Sequence, residues 1–274
     1  MRLRYVLLAV LAQPPLPPTP APAPPPEPPP KPVFTYEGKP IVLNVPCGTA
    51  EMEQFGLACS AEEPCPLYLE LSSVETVLNR IFVAGNLHTE SATILGLLLV
   101  SEDEGRTWTD ATPRMRGAAL GEMQFVDLAT GYVAGHMAGP LLRDPFFLKT
   151  KDGGKTWEKY SVFEESAIGI IESFRFETAA AGEMVINRMQ AGTKTGRWQR
   201  YETMTGAGTW MLREVSPKPL TLRRSKGASS GDAWRLRADG TIKAYRVEHR
   251  EGTQWQTVAS FAVRAGVCKP DVEN

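Results

Sequence analysis

From residue 33 onward, short runs of β-branched and aromatic residues alternate with turns that contain glycine and aspartate. The clearest stretch has such runs at residues 123–127, 132–135, 146–150 and 156–160. Runs of this length and composition predict four short β-strands joined by tight turns. No segment has the apolar spacing of an amphipathic helix, so the pattern predicts an all-β fold.

The same arrangement recurs along the chain. A first copy covers about residues 67–112, a third about 168–216 and a fourth about 217–263. The strands predicted in these copies are residues 81–85, 94–100, 174–176, 184–186, 198–201, 220–222, 233–236, 242–247 and 255–261. An Asp-Gly turn at residues 238–240 is typical of a hairpin in the fourth copy. The pattern therefore predicts four repeated units of strands.

Each copy has a tryptophan near its last strand, at successive intervals of 49, 53 and 45 residues. The four are Trp108, Trp157, Trp210 and Trp255. In the first two copies the tryptophan ends an octapeptide, at residues 101–108 and 150–157, that reads Ser/Thr-x-Asp-x-Gly-x-Thr-Trp. A repeat of this length is typical of the four-stranded blades of a β-propeller.

The residue types of the octapeptide suit a turn between the third and fourth strands of a blade. The aspartate accepts hydrogen bonds from N–H groups of the turn, and the glycine adopts a positive φ. The tryptophan places a large apolar ring between neighbouring blades. We expect these structural roles for Ser101, Asp103, Gly105, Thr107, Trp108, Thr150, Asp152, Gly154, Thr156 and Trp157. None of the roles requires a substrate.

The two octapeptides resemble the Asp-box, also called the bacterial neuraminidase repeat. Residues 122–160, which include Phe125-x-Asp127 and Gly131-Tyr132-x-Ala134-Gly135, look like one blade of the photosystem II assembly factor-like propellers, and residues 77–110 match moderately. The resemblance implies an all-β propeller and a partner on a membrane complex.

The third and fourth copies depart from the family pattern, because Thr205 and Arg250 stand where the aspartate is expected. Propellers of this family usually have more blades than the four repeats visible here. A β-rich start at residues 33–45 is placed to close the ring with a C-terminal strand near residues 261–263. The resemblance therefore implies a small propeller of four or five blades, or an incomplete one.

The first 32 residues differ from the rest of the chain. A basic start, an apolar run of eight residues and the small residues Val10 and Ala12 predict a signal peptide over residues 1–12. A span of the bilayer takes about 20 residues, so this run is too short for one. Residues 13–32 hold 13 prolines and predict a polyproline II linker. A ligand for a proline-binding domain is the alternative interpretation of that stretch.

We therefore expect residues 33–274 to be the propeller domain of an exported protein, located in the periplasm, at the cell surface or outside the cell. The net charge of −1 and the pI of about 6.4 do not favour a nucleic-acid partner. No membrane span is expected in the mature chain.

Four cysteines, an even number, indicate disulfides in an exported chain. The favoured pairs are Cys59–Cys65, as a local loop, and Cys47–Cys268, as a clasp between the two ends of the domain. The clasp is favoured because closing a long loop restricts the unfolded chain most. A zinc site is the rival interpretation, but the spacing lacks the usual Cys-x-x-Cys pair, so no metal is expected.

Residues with catalytic potential are scattered. The Phe/Tyr-Arg-Ile-Pro motif of sialidases has no match, and Arg175 is interpreted as a strand residue. His136 is placed to line a central channel, although a structural role is favoured for it, and no phosphate-binding loop is present. The acids considered for a glycosidase are Glu102, Asp103, Glu104, Glu164, Glu165 and Glu172. We expect no cofactor and no catalytic site.

The sequence thus predicts a non-catalytic exported propeller that acts as a protein-binding scaffold or assembly factor in the cell envelope. Its partner would be another envelope protein or complex. The alternative is a carbohydrate-binding or sialidase-like glycan-processing protein. The rings of Trp198, Tyr201 and Trp234 discriminate between the two, since exposed coplanar rings favour a glycan platform and buried rings favour a structural role.

Overall fold

Four antiparallel sheets, called blades 1 to 4 here, make up most of the chain that the structure describes. The computed structural model describes residues 32–188, 196–222 and 233–271, so the predicted signal peptide and all but the last residue of the predicted linker lie outside it. The elements are β1 (Val33–Thr35), α1 (Thr49–Phe55), β2 (Cys65–Val77), β3 (Arg80–His88), β4 (Thr93–Ser101), β5 (Thr107–Asp110), β6 (Met115–Arg116), β7 (Ala118–Phe125), β8 (Gly131–Ala138), β9 (Leu142–Thr150), β10 (Glu158–Ser161), β11 (Ile170–Phe176), β12 (Gly182–Asn187), β13 (Trp198–Thr203), β14 (Met211–Ser216), β15 (Trp234–Asp239), β16 (Ala244–Glu251), β17 (Gln254–Ala262) and β18 (Arg264–Cys268).

Blades 2, 3 and 4 are meanders of strands that follow one another along the chain, and blade 1 adds β1, β6 and β18 to the meander of β2 to β5. Blade 1 has the order β1-β5-β4-β3-β2-β18 with β6 beside β4, and blade 2 has the order β10-β9-β8-β7. Blade 3 is ordered β11-β12-β13-β14 and blade 4 is ordered β15-β16-β17. The predicted small all-β propeller is confirmed, and the described residues form four sheets with no fifth.

Apolar side chains on facing sides of the blades hold neighbouring blades together. Alternation along a strand puts every second side chain on one face, and the centres of β3 and β4 are buried on both faces. Three clusters of buried apolar residues result, between blades 4 and 1, blades 1 and 2, and blades 2 and 3. The blades are therefore packed in the order 4-1-2-3.

The side of blade 3 that faces away from blade 2 is charged. Phe174 and Phe176 lie in the cluster with blade 2, so Arg175 between them lies on the other face. There Glu183 lies between Arg175 and Arg200, at 3.5 and 3.6 Å. Blade 4 carries a similar ladder, made by Arg235, Arg237, Asp239, Arg246 and Glu248. In the part of the chain that the structure describes, no hydrophobic cluster joins blade 3 to blade 4.

The two ends of the domain are joined where the sequence predicted. Ile41 forms a parallel bridge with Phe261 on the free edge of β17, and β18 pairs with β2. The disulfides Cys47–Cys268 and Cys59–Cys65 are both formed, which confirms the favoured pairs. Residues 41–45 make only this bridge and no strand, although their side chains alternate between buried and exposed.

The expectation of no helix was wrong at α1. Its seven residues are too few to show periodicity, although both of its ends make local hydrogen bonds. The Glu51 carboxylate accepts the N–H of Gly48 at 3.0 Å, and Gly56 ends the helix with a φ of 62°. The helix lies between the two disulfides, so tertiary restraints rather than sequence pattern decide its position.

The fourth copy also differs from the prediction. Residues 220–222, predicted as its first strand, are not in a strand. Blade 4 therefore has three described strands. The other predicted strands of the four copies overlap observed ones. The apolar run Leu-Thr-Leu was too short to distinguish a strand from an extended connection.

Candidate functional site

The two octapeptides form the same hydrogen-bonded turn. In blade 1 the Thr107 hydroxyl and N–H donate to the Asp103 carboxylate at 2.7 and 2.8 Å, and the Ser101 hydroxyl donates to it at 2.9 Å. The Gly105 N–H donates to Ser101 Oγ at 2.8 Å, and Trp108 Nε1 donates to the Gly105 carbonyl at 2.9 Å. The turn of blade 2 repeats these bonds from Thr150 to Trp157.

Both carboxylates are held in the ionised form. Burial acts to raise the pKa of Asp152, but hydrogen bonds from Thr156, Thr150 and Lys155 outweigh it and lower the pKa to about 2. The pKa of Asp103 is lowered in the same way, with burial opposed by Thr107 and the other turn donors. Each aspartate is therefore fully occupied as a turn acceptor and is not placed to act as a general acid.

The third copy keeps the turn without the carboxylate, which the sequence did not predict. The Thr209 N–H donates to Thr205 Oγ1 at 2.8 Å, and the hydroxyls of Thr205 and Thr209 lie 3.0 Å apart. Ala207, with a φ of 71°, stands where the first two turns have glycine. A neutral threonine hydroxyl thus takes the place of the aspartate, and the pattern Thr-x-Thr-x-x-x-Thr-Trp was the available signal.

Three of the four tryptophans pack at the boundary with the blade before them. Trp108 meets Phe261 of blade 4 edge to face at 5.2 Å between ring centres. Trp157 meets Phe82 of blade 1 at 5.9 Å, and Trp210 stacks on Phe147 of blade 2 at 5.4 Å. The tryptophan rings of these three turns therefore pack between neighbouring blades. Trp255 instead lies 4.0 Å from the guanidinium of Arg235 within blade 4.

In blades 2 and 3, a basic side chain of the preceding blade donates a hydrogen bond to the carbonyl at the same position of the turn. Arg80 of blade 1 donates to the Gly153 carbonyl at 3.0 Å. Lys149 of blade 2 donates to the Gly206 carbonyl at 2.7 Å. Lys149 is only 8% exposed, and burial lowers its pKa. These bonds, like the wedged rings, give the turns a role in holding the blades together.

A cavity of about 240 Å³ lies near the inner strands of blades 1 to 3. It is lined by Glu70, Asn86, His88 and His136, among others, although the sequence favoured a structural role for His136. Asn86 is occupied, since its amide both donates to and accepts from the backbone of Leu120. Burial lowers the pKa of His136 and favours its neutral form. In the described residues, no group of three His, Cys, Asp or Glu side chains is arranged to hold a metal ion.

The acids considered for catalysis are not brought together. Glu102 pairs with Arg80 at 2.7 Å, and Glu172 accepts a hydrogen bond from Asn187 at 3.3 Å. Glu164 and Glu165 line a different, open groove of about 870 Å³ between blades 2 and 3. These contacts pair Glu102 and Glu172 with other residues and put Glu164 and Glu165, which are neighbours in sequence, on one groove.

The rings named as a glycan platform are largely enclosed. Trp198 and Tyr201 are each 8% exposed. Trp234 is partly buried, packs against the cluster between blades 4 and 1, and lies 4.7 Å from the ring of His249. Because buried rings favour a structural role and exposed coplanar rings favour a glycan platform, these positions favour a structural role.

The outer edges of the four blades differ in how they are covered. The edge of blade 1 is covered by β1, which pairs with β5, and the edge of blade 4 is covered around Ile41. The outer strand of blade 2, β10, has four residues and carries Glu158 and Lys159. Blade 3 ends in β14, whose six residues have no described strand beyond them and are exposed except for the last.

The β13–β14 hairpin concentrates exposed apolar side chains. It holds four of the ten large apolar residues that are exposed in the described chain, which are Met204 at 70%, Met211 at 51%, Leu212 at 49% and Val215 at 47%. Clusters of this kind on a surface mark interaction sites more often than scattered apolar residues do.

No helix in the described residues is long and apolar enough to cross a membrane.

Comparison with known proteins gives matches at the level of structure only. No protein-family model matches the chain, and no curated protein matches it. Among solved structures, a GH74 xyloglucanase from Xanthomonas campestris is 20% identical over 50% of this chain, with a TM-score of 0.37. A structure of YCF48 bound to D1 peptide is 16% identical over 70% of this chain, with a TM-score of 0.40.

A third solved structure, the alpha-L-arabinanase of Penicillium chrysogenum complexed with arabinobiose, is 11% identical over 84% of this chain, with a TM-score of 0.37. The matched regions are 19%, 54% and 66% of the three proteins in the order given, so the chain spans less than two thirds of each.

Proposed function

We propose that this chain is a non-catalytic, exported β-propeller that binds another protein of the cell envelope. The observation that carries the proposal is the outer edge of blade 3, where β14 has no strand beyond it in the part of the chain that the structure describes and Met211, Leu212 and Val215 are exposed. An uncovered edge strand offers unpaired backbone N–H and C=O groups to another chain, and natural proteins usually protect such edges. The outer edges of blades 1 and 4 are covered by β1 and by the segment around Ile41, and the outer strand of blade 2 is the short strand β10.

The remaining features support the same proposal. We infer that the two octapeptide turns are Asp-boxes with a structural role, because each aspartate is occupied by donors of its own turn. Two disulfides agree with an oxidising compartment. Export through a signal peptide at residues 1–12, with residues 13–32 as a spacer, remains part of the proposal.

A crosslinking pull-down from an envelope extract of the source organism tests it. We expect one protein to be recovered in a fixed ratio to the chain. Recovery of no protein, together with retention of the chain on polysaccharide, would reject the proposal.

A glycan ligand is the second candidate, and one observation favours it. The open groove between blades 2 and 3 combines the carboxylates of Glu164 and Glu165 with the rings of Tyr201 and Trp210. Carboxylates that accept hydrogen bonds from sugar hydroxyls, placed beside aromatic rings, are suited to binding a carbohydrate ligand. Trp210 packs into the cluster between the blades, however, so its face is only partly available.

A further inference from the structure

The four cysteines of the chain meet at one strand, β18. Cys268 is the last residue of this strand and lies opposite Cys65 of β2 in the antiparallel ladder. On the other side of β18, the Lys269 N–H donates to the Cys47 carbonyl at 3.2 Å, and Cys47 is bonded to Cys268. Cys65 is itself bonded to Cys59. Cys268 therefore lies between its own disulfide partner and one cysteine of the other disulfide.

The strand register places Cys65 and Cys268 within the range of a disulfide. Residues directly opposite each other in antiparallel strands point to the same face, with Cα atoms about 4.5 or about 5.5 Å apart. Cysteines that form a disulfide have Cα atoms about 4.4–6.8 Å apart. A Cys65–Cys268 bond is therefore compatible with the observed pairing of β2 and β18.

The two disulfides differ in how far they are enclosed. Cys268 is fully buried, and Cys47 is only 6% exposed. Cys65 is partly buried, and residues 61–63 of the short loop that its disulfide closes are exposed. A reductant in solution therefore reaches the Cys59–Cys65 bond first, because access limits the rate of thiol–disulfide exchange. Its reduction leaves the Cys65 thiolate beside the buried disulfide.

We propose that this cluster is a thiol–disulfide exchange site whose co-reactant is a dithiol. The dithiol reduces the Cys59–Cys65 bond and is itself oxidised to a disulfide. The Cys65 thiolate then attacks the sulfur of Cys268, a Cys65–Cys268 bond forms, and Cys47 leaves as a thiolate that takes up a proton. Attack and departure at a sulfur are in line, and Cys65 and Cys47 lie on opposite sides of Cys268.

The exchange keeps the ends of the domain joined. The new bond links β2 to β18 and closes a loop almost as long as the one that Cys47–Cys268 closes, so it restricts the unfolded chain to a similar degree. Cys47 and Cys59 both become thiols. Because α1 lies between these two residues in the chain, it loses the disulfide on each side of it.

The contacts that remain on α1 are weak. Glu51 pairs with Arg116 at 2.7 Å, but the Arg116 side chain is 58% exposed, and exposed ion pairs contribute little stability. Met52 and Phe55 are only partly buried where they pack on the cluster between blades 4 and 1. The exchange is therefore expected to let α1 open more often and to uncover the apolar surface beneath these two side chains.

The test uses the full chain with both disulfides formed and one equivalent of dithiothreitol as the dithiol. Mild acid slows the exchange because it protonates thiolates, and N-ethylmaleimide then labels the free cysteines for peptide mass spectrometry. Molecules with two thiols are expected to carry the label on Cys47 and Cys59. Labels confined to Cys59 and Cys65, or to Cys47 and Cys268, would overturn the proposal, because each pattern is simple reduction of one bond.

Two single substitutions test the same step without a reductant. Cys59→Ser leaves Cys65 as a thiol, and the label is expected to be shared between Cys65 and Cys47. Cys65→Ser is the matched control, because its thiol is Cys59, which lies outside the ladder with β18, and the label should stay on Cys59. Labelling of Cys47 to the same extent in both variants would contradict attack by Cys65.

Hydrogen exchange measures the effect on α1. The amides of Thr49–Phe55 should exchange about tenfold faster in the form with the Cys65–Cys268 bond than in the Cys59→Ser, Cys65→Ser chain. That double variant lacks the short-loop disulfide but keeps Cys47–Cys268, so it separates loss of one bond from rearrangement. Equal rates in the two proteins would overturn the release of α1.

Discussion

At the scale of single residues, the turns show that one geometry is built from two different acceptors. Asp103 and Asp152 accept from the hydroxyl and the N–H of the following threonine. Thr205 accepts the Thr209 N–H with a neutral oxygen. A carboxylate makes stronger hydrogen bonds than a hydroxyl does, and so the turn of blade 3 is expected to be the weakest of the three.

Strengthening that turn should therefore stabilise the protein. Thr205 is exposed, so Thr205→Asp buries no charge and supplies an ionised acceptor for Thr209. We expect a gain of about 1 kcal/mol in the free energy of unfolding, and a loss of similar size for Thr205→Ala. Urea denaturation measures both. Equal free energies of unfolding of the two variants would show that the hydrogen bond accepted by the Thr205 oxygen does not stabilise the protein.

The lowered pKa of Asp152 predicts a pH dependence of stability. Its pKa is about 2 in the folded state against an ordinary value of 3.8, so its contribution is present above 3.8 and is lost as the pH falls through about 2. Asp152→Asn keeps an acceptor but not the charge. The stability difference between wild type and variant should shrink as the pH is lowered from about 5 to about 2. A difference that stays constant over this range would contradict the assignment.

At the scale of strands and turns, contacts between blades carry the fold. Lys149 and Arg80 reach from one blade to a carbonyl in the next blade's turn. Gln124 of blade 2 makes a paired contact of the same kind with the backbone of Phe176, at 2.9 and 2.8 Å. These hydrogen bonds fix the relative position of the packed apolar faces of neighbouring blades, because hydrogen bonds are directional and apolar contacts are not.

Lys149→Met tests one such contact. The variant leaves the Gly206 carbonyl without its donor in a buried position, and we expect a loss of about 1–2 kcal/mol. Lys151→Met is the control, because Lys151 is exposed and its pair with Glu158 spans 3.6 Å. Urea denaturation of both variants is the measurement. Equal effects of the two substitutions would mean that the contact between blades adds no stability.

The sequence predicted strands and turns well where their residues had local reasons to be there. Phe125, Tyr132 and Trp157 marked blade 2 because each occupies a repeated position between blades. The helix at Thr49–Phe55 was missed because its ends are fixed by contacts distant in sequence, such as the reciprocal bonds between Thr49 and Asp271. Local patterns do not carry information of that kind.

The candidate docking edge could not be predicted from the sequence either. Leu212 and Val215 look like the inward residues of an ordinary strand, and their exposure depends on β14 being last in its sheet. The bulge that puts them on one face depends on pairing with β13. The cysteine pairs, in contrast, were favoured from the sequence among three possible pairings, because closing the longest loop restricts the unfolded chain most.

At the scale of the whole molecule, the Cys47–Cys268 disulfide joins the two ends of the domain across a separation of 221 residues. The Cys59–Cys65 disulfide spans 6 residues. Because a disulfide lowers the entropy of the unfolded chain, removing the one that closes the long loop should lower the free energy of unfolding by about 5 kcal/mol. Removing the one that closes the short loop should lower it by about 2 kcal/mol. Both cysteines of a pair are changed to serine in each variant, and thermal unfolding should rank them in this order. The reverse order would place the stabilising restraint in the short loop.

Blade 3 is proposed to present a protein-binding edge at β14. The most direct measurement is photocrosslinking in an envelope extract of the source organism, with a photoreactive residue at Val215 in one chain and at Leu128 in another. One protein should be crosslinked from position 215 and not from position 128, although both side chains are exposed. Crosslinking to no protein, or to the same proteins from both positions, would contradict it.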